Sequence, residues 1–399
     1  MPYYLQHPFR SKQRVIIGDH VMLSYDLPRI AVAGDAAALG EQCGRQLAAE
    51  VTRFVAQRLR AAKVYLWEHG SRDLDGFLNL GAQCYETFCD WDPISALEHD
   101  ALAMAAGVSP QELYTTTNMT DIRDILLVQL RAAGHQPPIA DAEGCTTVLV
   151  GSERAAAGQL LAGQTWDLNP QDVDDVVAIH RRPDAAPATW TVTCNGCPTL
   201  VGMNELGLSV GTTNIKTNDA RIGVGYLSIL HRAIRCQSVA EAAAMIHSAP
   251  RAAAHTYWLA DACGAQIITT SATTVHDEHL ADDAVLGQTN HLCHDLAEVA
   301  SLEEPSSSST TRLATVAHWG KLINGADMPS IQRLFAERNS GSDSINRYPE
   351  DGTGSATDAC FIGSPAQQRA WACRGPSDRG LWYELDPASG SSVLMSKAQ

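Results

Sequence analysis

At Glu143-Gly144-Cys145-Thr146-Thr147-Val148-Leu149 the pattern of the chain changes from helix to strand. A cysteine directly after a glycine, followed by two threonines and an apolar run, reads as a strand start and as a place where a chain could cut itself. Glycine leaves the Gly144 carbonyl open to the neighbouring thiol. Attack there would move the acyl group from nitrogen to sulfur and then lose it to water, leaving a chain that begins at Cys145. Such a residue carries nucleophile and base together, because a freed α-amino group titrates at about 8 and can take the thiol proton. The same residues also read as a buried strand cysteine, since free Cys is among the most buried residue types.

Upstream of this stretch the pattern is helical. Strands are expected within residues 15–33. A helix from Ala36 to Lys63 then carries Leu39, Cys43, Leu47, Val51, Val55 and Leu59 at steps of four. Gly40 and Gly44 share that face, which implies close packing against another element. Further helices are expected at 72–90 and 94–106, the latter ending at Gly107, and a short one opened by Ser109-Pro110. Arg131–Ile139 reads as a loop ahead of the proposed cut. Downstream the period changes to that of strands: a hairpin of 145–150 with 159–163, then 176–180, 189–193 and 199–201, a turn at Asn204–Gly207, and 208–213. Helices return at 225–235 and 238–248, followed by strands at 256–260 and 265–270. Pro305 and the serines after it read as a flexible loop before a helix from Thr311 to Ile323. Residues 339–357, rich in Gly, Ser and Asp, are expected to be mobile, and the end returns to strands. Helices before and after two banks of strands imply a layered sandwich rather than a parallel βαβ fold.

Composition narrows the partners. With Lys+Arg 29 against Asp+Glu 45, the net charge of −16 disfavours nucleic acid and anionic membranes. The N-terminal residues lack the charged segment and apolar core of a secretory signal, so a cytoplasmic location is expected. The 11 cysteines are scattered over 399 residues, so reduced thiols are the default. Cys194-Asn195-Gly196-Cys197 reads as a hairpin turn; with His291 and His294 it also leaves open a non-catalytic thiol or metal-binding protein. His276-Asp277-Glu278-His279 lacks the zincin order and reads as a solvated turn.

Six short motifs in register carry a family resemblance over nearly the whole chain. They are Gly144-Cys145-Thr146-Thr147, Gly163-Gln164-Thr165-Trp166-Asp167, Val201-Gly202-Met203-Asn204 with Gly207, Trp258-Leu259-Ala260-Asp261 with Gly264, Thr289-Asn290-His291, and the Ser/Thr run ending in Arg312. Leu39-Gly40 with Gly44, and Ala105-Ala106-Gly107-Val108, fit the segment ahead of the cut. The chain resembles the acyl-coenzyme A:6-aminopenicillanic acid acyltransferase family of self-processing N-terminal-nucleophile enzymes. Thr165 stands where the family usually has Asn, Glu143 where Asp is usual, and Cys43 where His or Phe is common.

The resemblance implies an α+β, four-layer αββα unit made of two pieces, a mostly helical 1–144 and a 145–399 that starts with the nucleophile. It implies that Cys145 forms a thioester, that the Asn290 amide donates to the oxyanion, and that Asp167 holds the site near the Cys145 amine. Gly144 and Thr147 would serve processing. Arg312 would pair with Asp167 or a substrate carboxylate, and Trp166 would contact substrate. The expected reaction is hydrolysis of a small N-acyl amine or N-acyl amino acid, with acyl-coenzyme A-dependent acyl transfer as the alternative on the same site. No metal or cofactor is called for. The two pieces are expected to stay associated, and a homo-oligomer is compatible with this reading. Asp172, Asp174 and Asp175 read as a solvated acidic loop, or as a holder for a cationic leaving group.

Overall fold

A computed structural model describes residues 12–17, 20–68, 70–135, 144–296 and 299–396. β1 (Lys12–Ile17) and β2 (His20–Tyr25) form an antiparallel ribbon, and β3 (Arg29–Gly34) leads into the helices. The four-residue period from Leu39 to Leu59 is helical, but as two helices: α1 (Ala36–Gln46) and α2 (Ala48–Glu68) break at Leu47. Packing dictates the break. A Cβ on Gly40 would lie 2.0 Å from the Glu98 carbonyl oxygen, and one on Gly44 2.4 Å from that of Leu102. Only glycines allow α1 to lie so close to its neighbour, and α2 must then take another axis. α3 (Leu74–Trp91), α4 (Pro93–Ala106) and α5 (Pro110–Thr117) follow, capped by Asp73, Asp92 and Ser109, and α4 ends at Gly107 with φ 74°. α6 (Met119–Ala132) was not foreseen; it absorbs Arg131 and Ala132, which read as loop. The remainder of that loop from Gln136, and Glu143, lie outside the described residues.

The strands of the second part are β4 (Gly144–Val150), β5 (Leu161–Leu168), β6 (Val176–Pro183), β7 (Thr189–Cys194), β8 (Val201–Asn204) and β9 (Ser209–Asn214). After α7 (Tyr226–Ala233) and α8 (Val239–Ser248) come β10 (His255–Asp261), β11 (Gly264–Thr270), β12 (Val275–His279) and β13 (Val285–Gln288). α9 (Ser307–Leu322), α10 (Met328–Phe335), β14 (Ala356–Ser364), β15 (Arg369–Arg374), β16 (Tyr383–Leu385) and β17 (Ser392–Leu394) complete the chain.

Among the described residues two large sheets form. One runs β12-β11-β10-β9-β8-β7-β6-β3, with β3 parallel to β6; the other runs β13-β4-β5-β14-β15-β16-β17. Three apolar layers hold them. Phe77, Tyr114, Ile122 and Leu230 of the helices meet Tyr257 and Ile268 on the outer face of the first sheet. Leu149, Trp166, Trp190, Trp258 and Phe361 fill the space between the sheets. Val148 and Ile362 meet Val316, Ile331 and Phe335 of α9 and α10 on the outer face of the second. Successive residues of β4 enter different layers, which is why this strand reads as a continuous buried run. The architecture is the expected αββα sandwich.

Several loop expectations fail for one reason, polar residues with fixed internal partners. Ser306 caps α9 and the serines after it form the first helical turn, with Ser309 fully buried. Within 339–357, Ser344, Ile345, Asn346 and Arg347 are buried rather than mobile, and α10 just before was not foreseen. His276–His279 belong to the edge strand β12. Asp172 and Asp175 are buried and paired with Arg58, at 2.9 Å, and Arg53 of α2. These two tie a helix to a sheet and are neither a solvated loop nor a cation site, whereas Asp174 between them is exposed. Cys194 and Cys197 flank a hairpin turn, as expected: the Cys197 N–H donates to the Cys194 carbonyl and Gly196 has φ 85°.

Candidate active site

β4 presents its residues to two environments. Cys145 and Leu149 enter the layer between the sheets, whereas Thr146 meets α9 through Arg312. Cys145 is 7% exposed and lines a pocket, about 340 Å³ with its opening to solvent included, together with Trp166, Leu168, Leu200, Asn214 and Tyr226. Thr120 of α6 also reaches this cavity, so the helical segment forms part of its wall.

The main-chain nitrogen of Cys145 donates to Asn290 Oδ1 at 2.7 Å. Asn290 Nδ2 in turn donates to the Asn214 carbonyl at 3.0 Å. The amide group expected to face an oxyanion is therefore directed at the main chain in the uncut molecule, while its oxygen holds the Cys145 nitrogen. Arg312 of α9 is buried and engages the same cluster. It donates to the Cys145 carbonyl, to Thr146 Oγ1 at 3.0 Å, to Asn290 Oδ1 at 3.0 Å and to Ser308 Oγ at 3.2 Å. Burial, and then the nearby positive charge of Arg347, pull its pKa down to about 10. Its donors are spent on Cys145, Thr146, Asn290 and Ser308, so Arg312 is not placed to hold a substrate carboxylate.

Asp167 stands opposite Gly144 in the β4–β5 register and is fully buried. Burial pushes its carboxyl above the usual range, against the pull of Arg347, Arg312 and Thr357. Its ion-pair partner is Arg347, with Nε 3.7 Å from Oδ2, instead of the Arg312 that sequence proposed. Arg347 also donates to Ser355 Oγ at 2.6 Å and to Ser308 Oγ. A Cβ on Gly144 would lie 2.9 Å from Asp167 Oδ2 and 3.1 Å from Arg347 Nη1, so the glycine permits this close approach. Thr147 is fully buried, and its hydroxyl has no hydrogen-bond partner among the described residues.

The structure thus brings Cys145, Gly144, Asp167, Asn290, Arg312, Trp166 and Thr147 into one region. Sequence reasoning missed Arg347, whose Gly/Ser/Asp-rich surroundings disguised it, and Asn214 and His255, which are terminal residues of strands and carry no motif. The metal reading does not assemble. His291 Nδ1 contacts Ser309 Oγ at 2.7 Å, His294 Nε2 contacts Glu278 at 3.1 Å, and Cys194 and Cys197 are packed between the sheets. Among the described residues no three His, Cys, Asp or Glu side chains form a group that could hold a metal ion.

A cysteine at a cavity wall, with its own nitrogen fixed by a side-chain oxygen, fits an enzyme that works on acyl groups, an amidohydrolase or acyltransferase. The chain belongs to the acyl-coenzyme A:6-aminopenicillanic acid acyl-transferase family, whose model matches residues 154–378. That match begins downstream of Cys145 and does not include it. No curated protein sequence matches the chain. Among solved structures, penicillin V acylase from Agrobacterium tumefaciens is similar at 12% identity and TM-score 0.31, over 63% of this chain and 98% of that one. A mutant conjugated bile acid hydrolase from Clostridium perfringens is similar at 11% identity and TM-score 0.37, over 64% of this chain and 97% of that one. Among the described residues no helix is long and apolar enough to cross a membrane.

Proposed function

We propose that the chain cuts itself between Gly144 and Cys145 and that the mature enzyme releases an acyl group from a small N-acyl amine or N-acyl amino acid through a Cys145 thioester. The observation that carries this reading is the Cys145 nitrogen on Asn290 Oδ1, at 2.7 Å, in a residue that also lines the cavity. Once freed, that nitrogen is an amine already oriented, able to take the Sγ proton as sulfur attacks the substrate carbonyl. The proton then passes to the leaving amine as the C–N bond breaks. Water adds to the thioester, and the carboxylic acid departs as Sγ regains its proton.

In this reading Asn290 orients the amine. The Asn290 Nδ2 group, one of whose two protons goes to the Asn214 carbonyl, has a second proton to donate to the oxyanion. Arg312 and the Asp167–Arg347 pair hold β4 in place. Thr147 assists cleavage, and Trp166 lines the acyl pocket. Ion pairs such as Arg53–Asp175 and Arg58–Asp172 span the proposed cut and support association of the pieces. We also assign the enzyme to the cytoplasm.

The test is incubation of mature protein with N-acyl amines and acyl thioesters, rapid acid quench and peptide mass analysis. Acyl mass on Cys145 is expected; acyl mass elsewhere, or turnover that survives Cys145→Ala, overturns the mechanism. A new amide formed from added amine in preference to hydrolysis would make the enzyme an acyltransferase on the same thioester.

A further inference from the structure

The cavity lining contains one group that this reaction leaves unused. His255, the first residue of β10, is 1% exposed and lines the same cavity as Cys145. Its Nε2 lies 2.6 Å from Asp121 Oδ1 on α6, and its ring stacks on Tyr226 with centroids 4.3 Å apart and planes at 19°. The second oxygen of Asp121 accepts the Tyr226 main-chain N–H at 2.8 Å. A carboxylate offers only acceptors, so the ring nitrogen facing it is the one that carries the proton. In a ring that carries this single proton, Nδ1 is the acceptor. It is buried and has no hydrogen-bond partner among the described residues. A buried acceptor without a partner is costly, and its place in the lining of a cavity suits a donor that arrives with the ligand.

We propose that His255 Nδ1 accepts a hydrogen bond from a hydroxyl or N–H on the part of the substrate that fills the cavity, and thereby selects that substrate over an isostere without the donor. This deepens the proposed reaction and rests on it. A site built around a polar contact discriminates more sharply than an apolar one, because the analogue leaves a buried group unpaired. Trp166, Leu168 and Leu200 form an apolar part of the wall beside the polar Thr120, Thr212 and Asn214, so the substrate class is an amide with an apolar portion and a donor placed to meet His255. Asp121 precedes the cut and His255 follows it. The N-terminal piece therefore fixes the tautomer with which the C-terminal piece reads the substrate. His255 is a specificity-determining residue and Asp121 a positioning residue.

The experiment uses the self-processed protein and three sets of N-acyl amines that place a hydroxyl, a methyl or a keto oxygen at successive positions along the acyl chain. The wild type is expected to favour hydroxyl over methyl about tenfold or more in kcat/KM at one position, and His255→Leu to bring that ratio close to one. Asp121→Asn provides a readout that a merely structural role would not move. Its Oδ1 can keep the Tyr226 N–H while its Nδ2 donates to His255 Nε2, which drives the ring proton to Nδ1 and turns preference toward the keto probe. Nitrogen NMR of histidine-labelled protein, with His255 assigned by its loss in His255→Leu, is expected to show Nδ1 unprotonated in the wild type and protonated in Asp121→Asn. A hydroxyl preference that is absent, or that survives His255→Leu while acyl-Cys145 is still trapped, overturns the inference and leaves the reaction standing. Absence of acyl-Cys145 with every probe overturns the reaction, and the inference with it. Nδ1 protonated in the wild type overturns the inference alone.

Discussion

Substitutions at Cys145 and Asn290 separate self-cleavage from turnover. Cys145→Ala is expected to remain one uncut chain with its fold kept, because removing one sulfur from a partly open cavity wall leaves the β4 ladder intact; intact mass and circular dichroism check this. Asn290→Ala removes the oxygen that accepts from both the Cys145 nitrogen and Arg312. Maturation should slow, and in whatever fraction matures kcat should fall by roughly 10²-fold with little change in KM. Unchanged kcat in fully processed Asn290→Ala would remove this residue from the chemistry. Gly144→Ala places a methyl within 2.9 Å of Asp167 Oδ2, so cleavage is expected to slow while folding survives a small local shift. Gly144-Cys145 and Asn290 were legible as residues because short motifs surround them. What each atom of Asn290 does was not legible, since sequence cannot say which end of an amide meets which neighbour.

The helical layer is joined to the first sheet by a buried cluster at the scale of elements. Glu98 of α4 accepts from Arg181 of β6 at 2.8 Å and lies 3.2 Å from His231 of α7. Burial opposes ionisation of Glu98, but the nearby His231 and Arg181 outweigh it and hold its carboxyl below the usual range. His231 is itself pushed down from 6.5 by burial, so Arg181 is the charge that counts at neutral pH. A depressed folded pKa contributes stability that is present above the ordinary carboxylate range and is lost as pH falls through the folded value. Glu98→Gln, which strands Arg181, should therefore cost about 3–5 kcal/mol at pH 7. The gap from wild type should narrow as pH falls below 4 in denaturant titrations. A gap independent of pH would contradict the assignment. Helices with caps and periodic apolar faces, such as α4 and α5, were legible from sequence. The break at Leu47 was not, because a four-residue period persists through a change of axis that only Gly40 and Gly44 packing on α4 reveals. Nor was the start of α9, where serines that favour loops find Ser306 as cap and buried partners for Ser309.

Across the whole molecule, the pieces before and after Cys145 share one sandwich. β3 pairs with β6, Thr120 lines the cavity of Cys145, and Asp121 reaches His255. Neither piece encloses the cavity alone, so after cleavage they should co-elute on gel filtration and separate only in denaturant. Elution apart under native conditions would contradict this. The αββα order was legible from the switch of period at Gly144; the pairing of β3 at the far edge of a sheet formed mainly by later strands was not, because nothing local in Arg29–Gly34 names its distant partner. The central claim is that Cys145 becomes an N-terminal residue and acts as one. The measurement that tests it most directly is the intact mass of freshly purified, catalytically active protein. Two chains of 144 and 399 − 144 = 255 residues are expected, the longer beginning with Cys145. A fully active protein with the mass of one uncut chain would contradict it.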